Sequence, residues 1–253
     1  MTSQNGSGRR ALCGWHFLPL LIVFFLTETS DCKSHPWNSI ILTQHWPESV
    51  CLVDKCKEHP KIDYWTVHGL WPKKSMMCNN SWHFNIKNVE NILVDLKHFW
   101  PDVLHPNGTQ LWKHEWQKHG TCAALREPLN SQEKYFSKAL ELYKKLDLNS
   151  VLAKFHIVPS AEYYMLEEIE NALLSTYGTI PKIQCIHPTE EGSVQTLGQI
   201  ELCFDTDFQL LNCTETIYNK LNLGSNGQRS EYLDLSVCSQ DLKIYYPPVE
   251  HRN

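Results

Sequence analysis

Cysteine limits the fold of this chain more tightly than any other residue. Ten cysteines in 253 residues are too many for a reducing cytosol unless they bind metal, and no repeated Cys-x-x-Cys pattern accompanies them. Paired as disulfides, they imply an exported fold stapled from within. The amino terminus agrees: Arg9 and Arg10 precede an apolar run from Trp15 to Leu26, and small polar residues follow, as in a secretory leader. The run is too short to span a membrane and contains His16 and Pro19. A signal peptide is expected over residues 1–32, cut within 29–32, ahead of a single domain over 33–253. Cys13 leaves with the leader, and a cut after Cys32 leaves an even eight cysteines. A cut after Thr29 would leave Cys32 free or differently paired. No later stretch approaches the roughly 18 apolar residues that a span requires, so no membrane anchor is expected.

Three sequons point to the same route through the endoplasmic reticulum lumen: Asn79-Asn-Ser, Asn107-Gly-Thr and Asn212-Cys-Thr. With 42% hydrophobic residues the chain can build a real core. Its net charge of −5 argues against a protein that coats nucleic acid in general. Thirteen histidines qualify that. At about pH 5 exposed imidazoles charge while most carboxylates stay ionised, so an anionic substrate binds better in an acidic compartment.

Residues 39–46 read as a strand ending at Pro47, and Ile62 to Leu70 as a second. Apolar residues at 86, 89, 92, 93, 96 and 99 predict a helix from Ile86 to Trp100, closed by Pro101. A helix is predicted over Gln110 to His119 with Gly120 as its stop. Asn130 and Glu133 suggest a capping box for a helix to about Leu146, and Ser160 a cap for one reaching Tyr177. Lys182 to His187, Gln199 to Phe204 and Leu242 to Tyr246 read as strands, and 224–230 as a loop. Without regular βαβ alternation the class is α+β: one domain, a mainly antiparallel sheet packed against several helices and stapled by disulfides.

Two segments carry the chemistry. Lys113-His-Glu-Trp-Gln-Lys-His-Gly-Thr-Cys122 places two imidazoles, a carboxylate and an ammonium on a turn and a half of predicted helix. At about 100° per residue, His114, Lys118, Glu115 and His119 fan across roughly 140° of one face. Such crowding is costly unless the groups share a task. His68-Gly-Leu-Trp-Pro72 adds a histidine beside an aromatic ring. Phosphodiester cleavage needs one group to remove a proton and another to protonate the leaving oxygen. Two imidazoles can do both, with Lys118 and a protonated Glu115 stabilising phosphoryl charge. The bland alternative is a solvated helix face; the density of groups flanked by Trp112 and Trp116 argues against it. A zinc site is the other competitor, but His114 and His119 stand at i and i+5 rather than i and i+4. No metal and no cofactor are expected. Trp116 suits the core, whereas Trp71 is the tryptophan placed to stack on a base.

In the sequence, order and separation of these two motifs the chain resembles the ribonuclease T2 family, acid endoribonucleases of secretory and lysosomal compartments. The likeness runs from about Trp37 to Tyr246 and is strongest to animal members, in runs such as Leu42-Thr-Gln-His-Trp-Pro47 and Ser193-Val-Gln-Thr-Leu-Gly-Gln-Ile-Glu-Leu-Cys203. The resemblance implies that His119 is the base on the ribose 2′-hydroxyl and His68 the acid. It implies that Glu115 and Lys118 stabilise the phosphorane, His114 holds the phosphate and Trp71 lines a base pocket. It also implies a 2′,3′-cyclic phosphate product, single-stranded RNA as partner, refusal of DNA, and disulfides Cys51–Cys56, Cys78–Cys122, Cys185–Cys238 and Cys203–Cys213. Two departures bear on base preference. Lys73 stands where many relatives carry an acidic residue, and Leu111 where they often carry an aromatic one. A secreted signalling or binding protein with a vestigial site is the alternative, which the intact catalytic set disfavours. Nothing suggests an obligate oligomer, so a monomer is expected.

Overall fold

The computed structural model describes residues 37–54, 56, 61–187, 194–213 and 235–249. The expected leader and the loop over 224–230 lie outside them. The fold is α+β, as anticipated, around a mainly antiparallel sheet. Strand β1 (Ile40–His45) lies between β2 (Thr66–Pro72) and β5 (Gln195–Phe204), and β4 (Lys182–Ile186) and β7 (Leu235–Val237) continue the order outward. Short β6 (Leu210–Leu211) pairs with β5, while β8 (Ile244–Tyr245) pairs parallel with β5 and antiparallel with β3 (Tyr163–Tyr164).

Strand alternation sorts the two faces. Ile183 opposes Ile200 and Leu42 opposes Leu202 on one face. Thr43, Glu201 and Lys182 form one row on the other, and His45, Gln199 and Gln184 form the next. That second face is polar yet buried apart from partly exposed Lys182, an arrangement that needs internal partners. Helix α5 (Gln132–Lys145) packs on β1 and β2. Because β2 is an edge strand, its outer carbonyls need donors from elsewhere. Tyr143 Oη donates to Trp65 O (2.6 Å), Trp100 Nε1 to His68 O (2.9 Å) and Tyr135 Oη to Leu70 O (2.9 Å). These aromatic side chains tie the strand to the core and close its edge.

Several elements differ from expectation. The second strand begins at Thr66, and Ile86–Ile92 forms a 3₁₀ segment before helix α2 (Leu93–Phe99). Helix α5 is capped by Ser131, which accepts from Lys134 N, rather than by Asn130. Ser160 caps no helix: β3 intervenes, and α7 (Leu166–Tyr177) starts after Met165, whose N–H donates to Glu168 Oε2 at 2.6 Å. Gly178, at φ 71°, ends α7 in the left-handed conformation that glycine adopts at low cost. Two helices were not anticipated, α1 (Pro47–Asp54) and α6 (Leu148–Lys154). Pro47 was read as a strand stop, yet proline is also favoured at a first helical position. Disulfides join Cys51–Cys56, Cys78–Cys122, Cys185–Cys238 and Cys203–Cys213.

Candidate active site

His68 reaches the site through a fault in the sheet. Thr43 pairs with Gly69 and Gln44 with Val67, so His68 is the extra residue of a β-bulge. A bulge leaves its residue out of the ladder and re-aims the side chain. The His68 ring stacks on His45, with 5.1 Å between centroids, and meets Trp71 edge-on at 5.0 Å. Its Nδ1 lies 3.0 Å from the Gln199 side-chain amide.

The second segment does not stop at Gly120. Helix α3 (Gln110–Glu115) runs into a π-turn, Trp116–Gly120, and then into α4 (Thr121–Ala123). The Thr121 N–H donates back to Trp116 O, five residues earlier. Gly120 is helical, and a Cβ there would run into the Trp116 ring, so the glycine serves close packing rather than termination. The wider turn resets the angle between Glu115 and His119 from its α-helical value. It also offers Lys118 O to the Met77 N–H, at 2.8 Å. Cys78–Cys122 covalently joins the segment after the first motif to the end of the second.

Trp71 sits at the junction. Its Nε1 donates to Glu115 Oε2 at 2.7 Å, and its ring stacks on His119 with centroids 5.3 Å apart. This contact explains Gly69, since a side chain there would overlap both Trp71 Nε1 and Glu115 Oε2. Glu115 is 1% exposed, and burial pushes its carboxyl up to about 8 against the smaller pull of Trp71 and Lys118. Burial pushes His68 down to about 4; the contact to Gln199 opposes the shift, and the charges of His114 and Lys118 add to it. His119 is pushed down to about 2 by burial, then by Lys118, His114 and His68. The free site at mildly acidic pH therefore holds a protonated carboxyl and two neutral imidazoles.

The structure thus gathers His68, Trp71, Glu115 and His119 in direct contact, with half-buried His114 and Lys118 close enough to act on them electrostatically. Trp65, Trp112 and Trp116 belong to the core. Leu111 is also core, 4% exposed. Burial holds the Glu201 carboxyl above its ordinary value, with Lys182 and then Lys73 pulling against that shift. Asn79, Asn107 and Asn212 are all exposed. Gly69, His45 and Gln199 were not singled out in the sequence. Gly69 had a signal inside the first motif; His45 and Gln199 lie in the two runs shared with animal members, but nothing there ties them to His68, because only strand register brings them to it. Among the described residues no three or more His, Cys, Asp or Glu cluster in a way that could hold a metal.

Comparison with known proteins places this site in a family. The profile of the Ribonuclease T2 family matches residues 37–213. Ribonuclease T2 of Danio rerio is 51% identical over 243 residues, covering 92% of this chain and 99% of that protein. The crystal structure of human RNase T2 superposes with a TM-score of 0.71 at 46% identity, covering 85% of this chain and all of that one. An RNase MC1 variant in complex with 5′-GMP superposes with a TM-score of 0.63 at 29% identity, covering 70% of this chain and 94% of that one. By profile, by identity along most of its length and by fold, the chain belongs to the ribonuclease T2 family.

Proposed function

We propose that this endoribonuclease cleaves single-stranded RNA by transphosphorylation between His119 and His68, without a metal or other cofactor. The observation that carries the reading is the single contact set of His68, Trp71, Glu115 and His119, with Trp71 touching the other three. His119 takes the proton from the ribose 2′-hydroxyl as O2′ attacks phosphorus. The P–O5′ bond breaks, and O5′ takes a proton from His68. The products are a 2′,3′-cyclic phosphate and a free 5′-hydroxyl. DNA lacks the nucleophile and is refused.

Each neighbour has a task set by its ionisation. Protonated Glu115 donates a hydrogen bond to a phosphoryl oxygen as charge builds, and Lys118 adds a cation beside it. His114 holds the phosphate, and the half-buried face of Trp71 borders the base. Both imidazoles are neutral in the free site above about pH 4. An entering phosphodiester brings an anion between them that favours imidazolium, so the substrate helps to charge its own acid.

Disulfides and exposed sequon asparagines support passage through the endoplasmic reticulum lumen to secretion or lysosomes, after loss of residues 1–32. No described helix is long and apolar enough to cross a membrane. The protein is taken to act as a monomer. The test offers matched RNA and DNA oligonucleotides to the mature protein at about pH 5 with EDTA, and reads the ends by mass spectrometry. Cyclic phosphate ends on RNA alone support the mechanism. Intact RNA from folded protein would sink it and favour a binding or signalling role.

A further inference from the structure

Behind His68 lies a chain of polar side chains that the mechanism does not yet use. The β4–β5 register sets Gln184 opposite Gln199 and Lys182 opposite Glu201, and residues two apart on a strand share a face. Lys182 Nζ reaches both oxygens of Glu201 at 3.2 Å. The Gln184 and Gln199 amides are in hydrogen-bond contact, and Gln199 meets Nδ1 of His68 at 3.0 Å. The row therefore runs unbroken from an ion pair to the ring.

The oxygen and nitrogen of a primary amide have nearly the same shape, so its polarity is decided by its neighbours. With Gln199 Oε1 toward His68, its NH₂ donates to Gln184 Oε1. Gln184 then sets oxygen against Glu201 and NH₂ against Lys182, acceptor to acceptor and donor to donor. Exchanging its two amide atoms lets the NH₂ donate to Glu201 Oε1 at 2.9 Å and the oxygen accept from Lys182 Nζ at 3.2 Å. That NH₂ now also faces Gln199, which must answer with its own oxygen. The Gln199 NH₂ is thereby turned toward Nδ1 of His68. Ammonium can only donate and an ionised carboxylate can only accept, so the ion pair imposes this polarity on both amides.

We propose that Gln199 and Gln184 are positioning residues that keep the proton of neutral His68 on Nε2, with the Lys182–Glu201 pair setting their polarity. The proposal rests on the acid–base role of His68 argued above. With its oxygen toward the ring Gln199 would favour the imidazolium; with its NH₂ held against Nδ1 it instead opposes a second proton and confines charging to acidic pH. Among the other titratable groups around the ring, His114 and Lys118 from the helical segment lower its pKa further. His45 from β1 stacks on the ring, and His119 lies within its electrostatic reach. Glu201 is faced by Lys182 from β4 and by Lys73 beyond β2.

The test is ¹⁵N-resolved NMR of the mature protein at about pH 7.5, above the charging range of both imidazoles. It reads which nitrogen of His68 carries hydrogen and needs no turnover. The wild-type chain should show the proton on Nε2. In Gln199→Glu, whose carboxylate accepts, it should move to Nδ1, and the alkaline limb of kcat should rise by about one pH unit or more. Gln184→Met keeps the bulk but cuts the relay and should mix the two tautomers. A wild-type proton on Nδ1, or a Gln184→Met variant with an unchanged tautomer, would overturn the proposal. A proton on Nε2 in a protein that leaves RNA intact would uphold the relay while removing the catalytic reading of His68.

Discussion

Glu115 shows how far burial alone can set the state of a site residue. Its carboxyl ordinarily titrates near 4.5 and is held at about 8 in the folded protein, so the folded state keeps a proton that the unfolded chain has lost. The resulting stability is complete below pH 4.5 and is lost as pH rises toward 8. Glu115→Gln removes the titration, and its stability relative to wild type should grow by about 1.4 kcal/mol per pH unit across that window. Thermal unfolding at both ends of the window checks this, and a pH-independent difference would refute it. The imidazoles predict a rate profile. The charged His68 and neutral His119 that the proposed mechanism requires coexist between about 2 and about 4 in the free protein. kcat/KM should therefore fall about tenfold per pH unit above that range, while the limb of kcat lies higher because bound phosphodiester favours imidazolium. A kcat/KM limb at the ordinary histidine value would contradict the burial argument. Gly69→Ala crowds Trp71 away from Glu115 and should cost roughly 10²-fold in kcat, judged by the loss of one preorganised donor. The overlap also lowers the melting temperature, so a circular dichroism spectrum at the assay temperature separates the site effect from unfolding.

Two irregular elements do more for the site than the regular ones. The bulge at His68 aims its ring, and the π-turn at Trp116–Gly120 reconciles buried Glu115 and Trp116 with buried His119 and disulfide-bound Cys122. Deleting Gln117 would leave four residues to make the turn that five now make, replacing the π-turn by α-helical spacing and shifting His119 relative to Glu115. Cleavage should fall at least 10³-fold, measured by RNA turnover beside a circular dichroism spectrum that shows retained helix. Both irregularities were invisible in the sequence. A β-bulge is a property of two strands, and β2 meets β1 across a long excursion of chain. The π-turn reads locally as helix, and Gly120 reads as a stop until the Trp116 ring is seen against it. Regular periodicity was more legible. The pattern from residue 86 to 99 marked a helical segment correctly but not its 3₁₀ first half.

Over the whole molecule, the Cys78–Cys122 bond closes a loop of 44 residues and holds the two motif segments together. Replacing both cysteines by serine should cost about 4 kcal/mol in the chain-entropy model, read from denaturant unfolding of the oxidised wild type and the variant. A cost near zero would mean that packing alone aligns the segments. The sequence by itself determined the α+β class, the two motifs that carry the imidazoles, carboxylate and ammonium, and a cysteine content that calls for disulfides. These are local or compositional properties, present before any fold exists. Tertiary structure decided the ionisation of those groups, because desolvation depends on what covers them. It decided that His68 rests against His45 and Gln199, because strand register is a long-range choice. It also decided the order of polar groups from Lys182 to His68, because a hydrogen-bond chain acquires its direction only when both of its ends are in place.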